Sequence, residues 1–362
     1  MKRVGILGLP QSGKTTLFEI LMQGAGHAST AGREQVGVVR VPDERIDRLA
    51  ALYHPKKTTY AQIQFVDSGA ARGAHTGVPA ADGAGAAPSA RQAARGPDLF
   101  SSVRNCDALM AVVRDFENPA VAGGAGDPAR DLRDLEAELV FNDLAIVENR
   151  IDKVARELRV GKKEGEREHT LLARCKALLE QGRALRGERF DPDEEKVLRG
   201  FQLLSLKPLL AVHNQGDRST RVPAVAGANA LVVALKAHLE REIVALPADE
   251  RESFRAELGV AEDGLTLVIR ACYELLGLIA FFTVGPDEVR AWTLRRGECS
   301  VDAAAEIHTD LARGFIRAEV VPWNRLLEAG SQAKAREKAW ARLEGREYVV
   351  QDGDCIEIRF NK

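Results

Sequence analysis

Eight residues near the amino end, Gly8 to Thr15 (GLPQSGKT), restrict what this chain can fold into more than any other stretch. Their spacing, G-x-x-x-x-G-K-[ST], describes a loop between a strand and a helix that wraps phosphate in backbone N–H groups. Gly8 and Gly13 supply the positive φ and the missing Cβ that let amides come close to oxygen. Leu9, Pro10, Gln11 and Ser12 form the body of the loop, Lys14 reaches outer phosphates, and the Thr15 hydroxyl suits Mg²⁺. Thr16 follows in the first helical turn, where free N–H groups and the positive dipole end face the same anion. The flanks agree with this reading. Arg3 to Leu7 (RVGIL) suits a buried parallel strand, and from about Lys14 to Met22 a helix carries Leu17, Ile20 and Leu21 on one face.

Composition narrows the class. At 362 residues the chain exceeds one ordinary core, so two or three domains are expected. With 29% charged residues and a net charge of −2, it is no polycation: an RNA partner has to be met by a local patch, and DNA is not expected. No membrane association is expected either, since the longest apolar run, Leu275 to Gly285, is too short to cross a bilayer. Lys2 and Arg3 precede too few apolar residues for a secretory leader. The cysteines (Cys106, Cys175, Cys272, Cys299, Cys355) are scattered and never paired as C-x-x-C. They read as reduced thiols of a cytoplasmic protein.

Along the chain, a polar Gly/Ala stretch after the first helix contains Thr30, in the region where P-loop GTPases close a threonine over Mg²⁺ and the γ-phosphate. Val36 to Val41 alternates like a strand and residues 44–52 read as a short helix. Gln62 to Val66 is a strand ending at Asp67, placed to hold Mg²⁺ through water. The text after it, Asp67-Ser68-Gly69-Ala70, is one residue short of D-x-x-G. Residues 71–97 are low-complexity Ala/Gly/Pro and read as a mobile or disordered loop. Asp107 to Val113 is the next buried strand.

Apolar residues in three-and-four steps from Asp131 to about Arg159 predict a long amphipathic helix. A charged turn with Lys162 and Lys163 leads to a second helix carrying Leu171, Cys175, Leu178 and Leu185 on one side, which makes an antiparallel hairpin. Its tip is either a solvated turn or a contact for RNA or another partner. Lys207 to Asn214 returns to a buried strand that ends in Asn214-Gln215-Gly216-Asp217, similar to the base-reading N-K-x-D with Gln in place of Lys. A carboxylate at Asp217 can accept from guanine N1–H and its exocyclic amine, whereas adenine turns an unprotonated N1 toward it. Asn214 braces the loop. Leu231 to Ala234 is the last strand of this half, and Ala234, Leu235 and Lys236 form the loop beneath the base. Helices are expected over Ala237 to Leu246, Asp249 to Leu258 and Thr266 to Leu276. Beyond Ile279, strand-like WTL, FIRAEVV, YVV and CIEIRF with one helix from about Ser331 to Ala341 describe a small α+β domain.

In this order the chain resembles the YchF / Obg-like ATPase family of P-loop proteins. The stretches that carry the resemblance are LLGLIAFFTVGPDEVRAWTLRRG (275–297), IHTDLARGFIRAEV (307–320), LEGREYVVQDGD (343–354), VGVVRVPD (36–43), LRDLEAEL (132–139) and LLSLKPLLAVHN (203–214). The resemblance implies an α/β fold: a GTPase-like, mostly parallel sheet over 1–130 and 200–277, an inserted antiparallel helical arm over 131–199, and a C-terminal β-grasp (TGS) domain over 278–362. It implies a translation-linked ATPase or GTPase that binds GTP or ATP with Mg²⁺ and associates with the ribosome or RNA.

Departures from the family pattern cluster at the γ-phosphate end. The family's switch threonine falls at Thr30 or Ala31, its D-x-A-G is shortened at Asp67-Ser68-Gly69, and a histidine that assists hydrolysis maps to Ala111. Slow or absent intrinsic hydrolysis is expected, with a non-hydrolysing binding scaffold as the alternative. The base choice also divides. Family members carry Glu at the position of Asp217, which goes with ATP, while the shorter carboxylate here favours GTP. A metabolic kinase using the same loop finds no general base or acceptor-substrate motif, and His308 reads as structural.

Overall fold

A computed structural model describes residues 1–31, 34–67, 100–119, 126–160, 165–217, 219, 230–247, 249–258 and 263–361. Ser68, Gly69, segment 71–97 and the hairpin tip with Lys162 and Lys163 lie outside them. The chain forms two compact units, one of Met1–Lys2, Val38–Gln64 and Leu265–Lys362, the other of Arg3–Gly37 and Phe65–Gly264.

The first sheet has seven strands: β1 (Lys2–Leu7), β2 (Gly26–Ala31), β3 (Glu34–Arg40), β5 (Gln62–Asp67), β6 (Ala108–Asp115), β7 (Leu209–Gln215) and β8 (Ala230–Leu235). Their order is β2-β3-β5-β1-β6-β7-β8, and β1, β6, β7 and β8 run parallel. All eight residues of β6 and all seven of β7 are buried, as a parallel strand covered on both faces requires. Helix α1 (Lys14–Ala25) buries Leu17, Ile20 and Leu21, the face that the spacing predicts, and Phe18 as well. It lies against β3 at Gly37, where a Cβ would stand 2.0 Å from the Met22 sulfur. Thr30, expected in a polar loop, lies in strand β2.

The long insertion is helix α3 (Pro128–Arg159), started by Asp127, whose side chain accepts from the Arg130 N–H, and by Pro128 in the first turn. Leu132, Leu135 and Leu139 join Leu7, Leu109, Ala111 and Val113 in one apolar cluster, which roots the helix on the sheet. Farther out, Val140 and Val147 pack with Leu171, Leu172, Cys175 and Leu179 of α4 (Glu166–Glu180). Leu185, expected on that helix, sits past its end in a short 3₁₀ turn and still joins the cluster. Helix α5 (Pro192–Arg199) opens with a capping box between Asp191 and Glu194. The Asp143 carboxylate, fully buried, accepts from the backbone N–H groups of Leu204 at 2.9 Å and Ser205 at 2.6 Å. Burial pushes its pKa up, and those hydrogen bonds oppose the shift. Helices α6 (Ala237–Ala245) and α7 (Arg251–Glu257) complete this unit, α6 packing beside α1.

The other unit is built on six strands: β4 (Lys57–Thr59), β9 (Leu278–Thr283), β10 (Glu288–Arg295), β11 (Phe315–Pro322), β12 (Arg342–Glu344) and β13 (Asp354–Phe360). Their order is β12-β11-β13-β9-β10-β4. Helix α2 (Glu44–Tyr53) packs on β10, and β4 pairs β10 in parallel, Lys57 opposite Glu288. Residues 38–64, expected with 1–130, thus fall in one unit with the C-terminal residues, although Val38–Arg40 and Gln62–Gln64 lie in strands of the first sheet. Helix α8 (Gly264–Leu275) leads into β9 and falls, from Leu265 on, in the same unit. Four short helices appear where one was expected: α9 (Ser300–Ile307), α10 (Thr309–Arg313), α11 (Trp323–Ala329) and α12 (Gln332–Glu337). The expected strand at Tyr348 to Val350 is reduced to a single bridge between Val349 and Cys299.

Candidate nucleotide site

At the end of β1 the chain turns through Gly8 (φ 156°), where a Cβ would lie 2.4 Å from the Val112 carbonyl oxygen and 2.6 Å from Ser12 Oγ. No side chain fits there. Gln11 takes φ 61° without being glycine, and Gly13 takes φ 97° just before α1 begins. Leu9 is half-buried, Pro10 and Gln11 are exposed, and Ser12 is buried, its hydroxyl oxygen meeting no hydrogen-bond partner among the described residues. The Gln11 side-chain oxygen accepts from Asn118 Nδ2 at 2.9 Å. Lys14 folds back over the loop, its ammonium donating to the carbonyl oxygens of Gly8 at 2.7 Å and Leu9 at 2.9 Å. Burial lowers its pKa and the Asp67 carboxylate works in the opposite direction.

Asp67 ends β5 and is 2% exposed. Thr15 is exposed and Thr16 half-buried in the first turn of α1. A hydroxyl at a helix start and a carboxylate close enough to influence the lysine are both oxygen donors, the atom type that Mg²⁺ accepts together with phosphate and water. Among the described residues no cluster of His, Cys, Asp or Glu could hold a metal by itself.

The base-reading candidates reach the loop through Asn214. Its amide nitrogen donates to the Ser12 carbonyl oxygen at 3.0 Å, and its side-chain oxygen accepts from the Ala237 N–H at 3.1 Å, where α6 starts. A Cβ on Gly13 would stand 2.3 Å from that amide nitrogen, so the glycine is needed for this approach as well as for its φ. Gln215, in the place of the motif's lysine, is buried and donates to Asp115 Oδ2 at 2.9 Å at the end of β6. Asp217 is half-exposed, its Oδ2 3.1 Å from His238 Nδ1. Ala234 and Leu235 end β8, level with His213 and Asn214 on β7, and Lys236 occupies the cap position of α6.

The phosphate loop after β1, Asn214 near the end of β7, Asp217 just past it and Ala234 to Lys236 at the end of β8 thus all lie at the carboxyl ends of parallel strands of one sheet, the edge at which open α/β sheets take ligands. Ala111, aligned by resemblance with a catalytic histidine, lies mid-strand in β6, fully buried among core residues. That position packs the sheet against α3. Two side chains at this edge escaped the sequence reading. Asp115 could have been suspected from its place at the end of a buried strand. His238 carries no local signal, because only the pairing of β7 with β8 brings it beside Asp217.

Comparison with known proteins bears on the whole chain. Residues 278–361 match the family model YchF-GTPase_C, described as a protein of unknown function. The chain is 36% identical to the ribosome-binding ATPase YchF of Bacillus subtilis (strain 168), over 99% of this chain and 98% of that protein. It is 36% identical to the protein of the same name from Haemophilus ducreyi, over 99% of each. Among solved structures it is similar to the Schizosaccharomyces pombe YchF GTPase, with a TM-score of 0.81 and 26% identity, covering 99% of this chain and 97% of that one. With relatives this similar over nearly their full length, and a P-loop joined to an N-x-x-D turn on one sheet edge, the chain belongs to the YchF family.

Proposed function

We propose that this chain binds a purine nucleoside triphosphate with Mg²⁺ and acts as a slow, translation-linked NTPase switch on the ribosome, in the cytoplasm. The observation that supports the reading is the tie between Asn214 and the phosphate loop, which sets the end of β7 directly against residues 12 and 13. In this reading residues 8–16 hold the phosphates, Asn214, Gln215 and Asp217 with Ala234, Leu235 and Lys236 hold the base, and Thr15 and Asp67 hold the metal. Bound there, Mg²⁺ would neutralise charge on the phosphate oxygens. Lys14 would exchange the two carbonyl partners it now has for phosphate oxygens, and Asp67 would keep its ammonium charged.

The ribosome as partner is supported by the relatives, which are named ribosome-binding ATPases. The arm over 131–199 and the domain over 278–362 would make that contact, as the levers that a nucleotide-driven change would move. Slow hydrolysis is supported by the shortened text after Asp67, which offers no glycine at the spacing of a γ-phosphate sensor.

Displacement of a fluorescent nucleotide from the parent and from Lys14→Ala tests the binding, and loss in the variant is expected. Equal retention by both would refute the assignment. Co-sedimentation with ribosomes, with and without non-hydrolysable triphosphate and across a salt series, tests the partner, since a contact with phosphate backbone weakens as salt rises. Several turnovers per minute by purified protein alone would contradict the slow cycle.

A further inference from the structure

Asp217 stands on the turn after β7 and His238 in the first turn of α6, just past the 234–236 segment assigned above to the base. Their side chains meet, Asp217 Oδ2 lying 3.1 Å from His238 Nδ1. A second carboxylate, Glu242 Oε1, lies 3.9 Å from the same ring nitrogen. Carboxylates only accept, so both neighbours select the tautomer that carries its hydrogen on Nδ1. Both partners of the Asp217 pair are about half exposed, His238 at 56% and Asp217 at 47% of their side-chain surface. An exposed pair of this kind contributes little to folding, and the geometry instead bears on what the Asp217 carboxylate can do.

We propose that His238 is a positioning residue that fixes the Asp217 carboxylate and thereby sets the purine preference of the site toward guanine. The inference rests on the nucleotide-site reading above. A carboxylate offers about four acceptor positions. One is taken by the imidazole N–H, which leaves the other oxygen and the remaining lone pairs for two parallel donors. Guanine supplies two, N1–H and the exocyclic amine. Adenine presents a lone pair at N1, and an anionic oxygen held in place repels it. A free aspartate could rotate away from that lone pair at little cost, so the discrimination depends on the side chain's being held. Aspartate is also short, which puts a premium on a neighbour that aims it.

The test measures displacement of a fluorescent nucleotide by GTP, ATP and ITP in the full-length parent, His238→Ala and His238→Asn. The parent is expected to prefer GTP. ITP, which keeps N1–H and lacks the exocyclic amine, is expected between GTP and ATP. His238→Ala should lower the GTP-to-ATP affinity ratio by about three- to five-fold, the upper part of the range one contact at an exposed site supplies. His238→Asn, which keeps an N–H donor, should restore the ratio to within about two-fold of the parent. A purely structural role would weaken both nucleotides together and leave the ratio unchanged. A parent that prefers ATP overturns the inference, and so does a ratio that His238→Ala leaves unchanged or moves toward GTP, or that His238→Asn fails to restore. A parent that binds neither nucleotide overturns the site reading and the inference with it.

Discussion

The Asn214 side chain reaches a backbone 202 residues away, donating to the Ser12 carbonyl oxygen at 3.0 Å, while its oxygen accepts the N–H of Ala237, 23 residues further on, at 3.1 Å. It is 6% exposed, so neither partner has water to turn to. Replacing it with Leu orphans a carbonyl and an N–H, at a cost of about 1–3 kcal/mol each before relaxation. Urea unfolding of Asn214→Leu should show a loss of about 2–4 kcal/mol. A loss below about half a kcal/mol would mean that the bridge is not maintained in solution.

Gly13 and Gly182 both take positive φ, and they differ in what surrounds them. A Cβ at Gly13 meets Asn214 Nδ2 at 2.3 Å, whereas at Gly182 none of the described residues has an atom within 4 Å. Gly182→Ala is expected to cost about 1 kcal/mol from backbone conformation alone. Gly13→Ala should cost more, about 2–3 kcal/mol, and weaken triphosphate binding at least ten-fold, because the Asn214 bridge has to shift. Parallel thermal melts and nucleotide titrations of the two variants compare them directly. Equal penalties would contradict the crowding at Gly13.

Triphosphate with Mg²⁺ at about a hundred times its Kd should stabilise the parent by about 2.7 kcal/mol. Chelating the metal should return most of that shift, and Lys14→Ala should show none. Melting curves with and without chelator read all three arms. A shift that survives chelation would remove Thr15 and Asp67 from the proposed metal set.

Asp143 gives a pH dependence with a definite sign. Burial raises its pKa above the ordinary 3.8, so the folded protein holds this proton more tightly than the unfolded chain does. Its contribution is therefore most favourable in acid and declines as pH rises from about that ordinary value through the raised one. Asp143→Asn abolishes the titration and sets an amide, with one acceptor oxygen, against the two N–H groups of Leu204 and Ser205. The variant should be about 1–3 kcal/mol less stable in acid, and the gap should narrow as pH rises toward neutrality. Urea melts at a series of pH values check this, and a gap that widens with pH would contradict it.

The phosphate loop, β1, α1 and the Asn214 turn were legible because each is written in contiguous text, with glycines at the needed φ and apolar spacing on either side. Strand β2 was not, since GHASTA (26–31) has little β-branched or aromatic content and no alternation. The C-terminal helices run from five to eight residues, too few turns for a period to stand out. The helix expected up to Ala341 stops at Glu337, and Ala339 takes φ 55°, which no helix continues through. Strand β4 and the Asp217–His238 contact depend on which distant strands pair, and nothing in their own residues announces it.

The pairing of β4 with β10 also sets a schedule. A ribosome delivers the chain amino end first, so Lys57–Thr59 and α2, with Ile46 and Leu49 on its inner face, leave the exit tunnel long before Glu288 and its neighbours exist. Until then an unpaired strand and an apolar helical stripe wait without cover, an invitation to wrong partners. Truncation anywhere upstream of β10 would make that wait permanent, so premature stops should yield aggregates and not a smaller working domain.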